Sequence, residues 1–247
     1  MGRNIIGLVG GILLFTIVFN ACAAAHLATG PDAPNPGGTP TRGGLRIMAD
    51  LTREELIQRA ARLGHPVHTT LEKPETVVER IPTPFFSSGG IYRVSTRPPD
   101  RPRTYILGVW GKDGIKVLND SPAGFFELSA NSGLKLATGA DYVAYVTTFL
   151  ESTRDFTGGV QILKTIEESW WLPSPTPEES RKREEIIAKY KTIVEATKIS
   201  RESGNTVVVY VIRDRALVRM EAKVESDGRI QISEKVLEPE MPTVMLR

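Results

Sequence analysis

The chain has one cysteine and three histidines in 247 residues, and those two scarcities exclude most metal and thiol chemistry. Cys22 stands at the end of an apolar run, so whatever folds after it does so without a disulfide or a reactive thiol. His65 and His68 are three apart, but proline breaks the stretch and no third ligand stands near, so they read as solvated loop residues rather than a metal site. With His26 in a separate Pro/Gly-rich segment, no Ser-His-Asp arrangement presents itself. Glycines form no dinucleotide or phosphate-loop fingerprint; Gly111 and Gly114 are spaced for a turn. No cofactor is expected.

Excess charge is also missing. The formal net charge is +2, and aromatics are not interleaved with basic runs, so nucleic acid is not an expected partner. The carboxylate pairs Glu167-Glu168 and Glu178-Glu179 read as strand-end and helix-start charges. No internal repeat is found. An enzyme is therefore the minor reading.

The chain does carry an export signature. Arg3 precedes Ile5 to Phe19, a run without charge in which Thr16 is the only polar residue, and Ala21-Cys22-Ala23-Ala24-Ala25 comes next. A basic start, an apolar run and small residues are the parts of a secretory signal. Three readings compete. Phe19-Asn20-Ala21-Cys22 resembles a bacterial lipobox, which implies lipidation of Cys22; an ordinary peptidase could cut near Ala23 or Ala25; or the run stays as an anchor across ~30 Å of hydrocarbon. All three export the remainder of the chain. Residues 26–48 are rich in Pro, Gly, Thr and Asn and too poor in bulky side chains to offset the entropy of ordering, so they read as a flexible tether.

The expected globular part is 49–247, with an internal boundary offered near 173–177 by Pro173-Ser174-Pro175. Thr52 and Glu55 form a capping-box pair that starts a helix over 51–63. Gly90–Thr96, Thr104–Trp110 and Ile115–Leu118 read as strands, as do Phe125–Leu128 and Leu134–Leu136. Thr138 and Asp141 cap a helix over Ala140–Ser152, whose Tyr142, Tyr145, Val146 and Phe149 fall on one face. Val160–Ile166 reads as a further strand.

A helix of roughly 40 Å is expected over Thr176–Ser203, opened by Thr176, Pro177 and Glu179 and stopped by Gly204-Asn205, with Ile193 on its buried face. Thr206–Ile212, Val218–Val224 and Arg229–Val236 come after it as a three-stranded meander. The fold class is therefore α+β, with antiparallel sheets and a long C-terminal helix packed on that meander. This order of elements resembles cystatin-like and nuclear-transport-factor-like folds, in which a curved sheet wraps a helix.

Two features could carry binding. Arg93, Arg97, Arg101 and Arg103 gather around a proline-stiffened loop whose guanidinium groups could grip phosphate or carboxylate. Trp170 and Trp171, just before Pro173, could form an interface patch. The expected function is an exported, membrane-tethered envelope protein with a binding or structural role, its partners being the membrane and an envelope protein or anionic envelope component. A subunit of a larger envelope assembly, or a small hydrolase, are the alternatives.

Overall fold

Two antiparallel sheets and five α-helices make up the described residues of the computed structural model, which are 51–96, 103–154, 159–200 and 202–244. The fold class is accordingly α+β. The segments read as export signal and tether lie outside these residues. Among the described residues no helix is long and apolar enough to cross a membrane.

The first sheet holds β1 (Val77–Ile81), β2 (Gly90–Ser95), β3 (Thr104–Trp110) and β4 (Gly114–Val117) in that order. The second runs β5 (Val160–Leu163), β7 (Thr206–Arg213), β8 (Ala216–Val224), β9 (Ile230–Glu238), with the short β6 (Lys198–Ile199) sharing the β7 edge beside β5. Strand alternation sends successive residues to opposite faces, so each sheet feeds two cores. Tyr92, Val94, Tyr105 and Leu107 face α1 (Arg53–Ala61) and α2 (Val67–Glu72), where Leu56 and Leu71 are fully buried. Ile91 and Ile106 point the other way, into a central core with α3 (Pro122–Asn131) and α4 (Gly139–Ser152). Val207, Val209 and Val211 close that core from the second sheet, while Val208, Tyr210 and Ile212 pack on α5 (Pro177–Tyr190). The layers therefore alternate helix, sheet, helix, sheet, helix.

The central layer is aromatic. Tyr145 lies 5.3 Å from both Phe85 and Phe125, ring centre to ring centre, and Phe149 lies 5.2 Å from Phe125. Such contacts add about 0.5–1.5 kcal/mol each beyond the area they bury. The β8–β9 turn reaches this layer at Gly228, whose φ of +83° is one that L side chains rarely adopt and where a Cβ would press on a Leu134 methyl and the Tyr145 hydroxyl.

Several expectations are corrected. Leu134–Leu136 is not a strand: only Leu134 pairs, in an isolated bridge with Phe86. Phe125–Leu128 is helix, not strand: the Ser121 hydroxyl accepts from the Gly124 N–H and Pro122 opens α3, a start signal that outweighs the two β-prone phenylalanines. The long helix over Thr176–Ser203 is not formed. α5 keeps its full capping box at Thr176 and Glu179 but ends at Tyr190 after 14 residues, half the expected run. Thr192, Ile193, Val194 and Thr197 are β-branched and stiff in a helix, and Lys198–Ile199 gain a sheet partner in β7 instead. Ile193 consequently faces out, 43% exposed, while Val194 fills the core. Among the described residues no single long helix is wrapped by one curved sheet; α4 and α5 cover opposite faces of the second sheet. Residues on both sides of 173–177 share one core, Leu163 and Ile166 with Ile186 and Tyr190.

Candidate functional site

Arg93 sits in β2 opposite Glu79 on β1 and Ile106 on β3, on the sheet face that looks into the central layer. Its Nη1 donates to Glu79 Oε2 at 3.1 Å. Arg103 is exposed at the start of β3, where its backbone pairs with Thr96: the Thr96 N–H donates to the Arg103 carbonyl, and the Arg103 N–H donates to Thr96 Oγ1 at 3.0 Å. Arg97 and Arg101 lie outside the described residues, as does Cys22.

The two tryptophans part company. Trp171 bridges to Thr243, donates its indole N–H to the Glu167 carbonyl at 3.3 Å, and carries the Arg183 guanidinium 5.4 Å from its ring centre. It belongs to the core under α5. Trp170 is 39% exposed, with its backbone N–H held at 3.0 Å by the Gln161 carboxamide oxygen. The Gln161 Nε2 in turn donates to the Glu168 carbonyl at 2.7 Å, so the side chain is locked between two backbone groups.

Arg93 and Trp170 meet at a cleft of about 340 Å³ between the two sheets. Ile81, Arg93 and Ile106 line it from the first sheet; Val160 and Ile162 line it from β5, on the central face of the second. The end of α4 closes it with Thr148, Glu151 and Ser152, joined by Arg154 just beyond the helix. The sequence signal was the fate of the α4 stripe: beside Tyr145 and Phe149 the same face carries Thr148 and Ser152 and turns polar. Thr148, Glu151, Arg154 and Gln161 were not singled out from the sequence.

The hydroxyls of this helix end are not equivalent. Thr147 donates to the Val143 carbonyl at 2.8 Å, Ser152 to Phe149 at 3.3 Å and Thr153 to Phe149 at 2.8 Å. The Thr148 hydroxyl makes no such bond among the described residues and is not a buried orphan; the residue lines the cleft.

The two histidines are placed apart from this cleft. His65 Nδ1 accepts from the Val67 N–H at 3.1 Å, and His68 Nε2 lies 3.2 Å from Glu72. No family model, curated protein or solved structure matches the chain.

Proposed function

We propose that this chain is an exported, membrane-tethered protein of a bacterial-type cell envelope, with a binding or structural role. The observation that carries the reading is the placement of the only cysteine, Cys22, directly behind the uncharged run Ile5–Phe19 and ahead of the Pro/Gly-rich residues 26–48. An apolar run leading into small residues suits export, and a chain of tether composition lets a domain clear a membrane surface. In this reading Cys22 carries the lipid, and the basic loop at Arg97, Arg101 and Arg103 offers guanidinium groups to an anionic envelope component. Replacing Cys22 by Ala tests it. The parent should fractionate with membranes and the variant should change its mature mass or leave the membrane fraction; identical mass and fractionation would remove lipidation from the account.

A second reading, a subunit of a larger envelope assembly, is favoured by β9. This nine-residue strand has no outer partner among the described residues, and Ile232 and Val236 on it are 36% and 55% exposed. An unpaired strand edge with apolar side chains is a template for pairing with another chain.

A further inference from the structure

The central helices do not fill the space between the sheets to its edge. We propose that the cleft left there is a binding site for a small amphipathic monocarboxylate. The proposal rests on described residues alone and does not depend on where the chain resides.

Three kinds of group converge. Arg93 comes from the first sheet and Arg154 from the end of α4, and both line the same space. A guanidinium presents a planar fork of donors that matches a carboxylate, and Arg93 has directed only Nη1 toward Glu79. Glu151 lines the cleft as well, and with Glu79 it balances the two guanidinium groups. Such balance tolerates one negative charge and repels a polyanion, so it selects for a single acid group.

The second kind is apolar. Ile81, Ile106, Val160 and Ile162 line the space, and Trp170 stands beside them with a ring still partly open to solvent. These surfaces suit a hydrocarbon or aromatic body. The cleft volume of about 340 Å³ sits at the small end of ligand cavities, roughly 300–1,000 Å³.

The third is the Thr148 hydroxyl. The neighbouring Thr147 and Ser152 hydroxyls each donate to a backbone carbonyl, whereas the Thr148 hydroxyl makes no such bond and stays accessible. Thr148 instead lines the cleft, where a ligand hydroxyl or carboxylate oxygen would complete it. The Gln161 side chain, held between the Trp170 N–H and the Glu168 carbonyl, fixes the backbone of this wall.

The test is calorimetric titration of the full chain, in a non-ionic detergent, with 4-hydroxybenzoate and with hexanoate. 4-Hydroxybenzyl alcohol and citrate are run alongside. At least one monocarboxylate should saturate a single site with Kd below about 1 mM, the alcohol should bind at least tenfold more weakly, and citrate should not compete. Arg154→Gln should weaken the monocarboxylate about tenfold or more and Thr148→Val about threefold, as charge-assisted and neutral hydrogen bonds differ. Lys189→Ala, remote on α5, should leave it unchanged. Unchanged thermal midpoints establish that each variant is folded; where Arg154→Gln fails that criterion, Arg154→Lys replaces it and should still weaken binding, because the fork geometry is lost. The proposal is overturned if neither monocarboxylate saturates below that concentration, if binding survives intact in the folded Arg154 variant, or if citrate binds more tightly than either monocarboxylate.

Discussion

The Tyr145 hydroxyl, on α4, donates to the carbonyl of Gly228 at 2.6 Å, tying the middle of the central helix layer to the β8–β9 turn 83 residues away in sequence. The Ser129 hydroxyl of α3 lies 2.9 Å from the same phenol oxygen. One phenol therefore joins both central helices to the second sheet, in a site where the tyrosine is fully buried. Removing the hydroxyl orphans a buried carbonyl without opening a large cavity. Tyr145→Phe should cost about 1–3 kcal/mol, measured as a shift of the denaturant midpoint.

The same environment makes a pH prediction. Burial, with Asp227 nearby, pushes the Tyr145 phenol up from 10.0 to about 12, although the Ser129 hydrogen bond opposes the shift. Between those values the folded chain holds a proton that the unfolded chain has released. Stability should therefore be complete below pH 10.0 and fall as the pH rises toward about 12. Two pH units amount to about 2.7 kcal/mol at the upper end. Tyr145→Phe should be less stable at neutral pH and should lose less on going to high pH, as followed by circular dichroism.

The buried face of α5 gives a paired stability test. Ile186 is 3% exposed and Ile193 is 43% exposed. Ile186→Ala should cost about 2–5 kcal/mol. Ile193→Ala should cost less than about 1 kcal/mol, because little of its surface leaves water. Equal denaturation midpoints for the two variants would contradict the placement of the helix end at Tyr190.

Arg213 and Glu234 make a third relation that can be measured. Arg213 Nη1 and Nη2 donate to the two carboxylate oxygens of Glu234 at 2.9 and 2.6 Å, reaching over β8 from β7 to β9. The hydrogen bonds from Arg213 hold the Glu234 carboxyl below its ordinary pKa, so the pair contributes above the usual carboxylate range and is lost as the pH falls through the depressed value. Both side chains are about a third exposed, which keeps the pair small in energy, below about 1 kcal/mol. A double-mutant cycle with Arg213→Met and Glu234→Gln should return a coupling of that size at neutral pH and a smaller one as the pH falls below the usual carboxylate range.

Capping was the most legible layer of the sequence. Thr52 with Glu55, Thr138 with Asp141 and Thr176 with Glu179 each close a reciprocal box, because a hydroxyl and a carboxylate three residues apart can satisfy two orphan N–H groups wherever the chain goes next. Helix ends were less legible. The apolar spacing through Ile186, Ile187, Tyr190, Ile193 and Val194 continues past Tyr190, but periodicity cannot register that Lys198–Ile199 will find an edge on β7. α2 and β1 went unread, since Val67–Glu72 and Val77–Ile81 are too short to establish a period. Of the cleft, Arg93 and Trp170 were visible as separate features; that they line one space depends on two sheets meeting across α4, which no local pattern encodes.

The basic loop yields its own prediction. If Arg97, Arg101 and Arg103 engage an anionic envelope component, neutralising the three together should weaken binding to anionic vesicles without lowering the melting temperature. Raising salt should weaken the parent likewise, as the screening length falls from ~10 Å at 0.1 M to ~3 Å at 1 M. Equal vesicle binding by parent and triple variant at low salt would leave the loop a solvated connection.

The intact mass of the mature chain, purified from the membrane fraction of native cells, tests the central claim most directly. The account predicts a polypeptide that starts at Cys22 and carries the added mass of lipid on that residue. An unmodified chain that retains Met1–Ala21 and appears in the soluble fraction would contradict it.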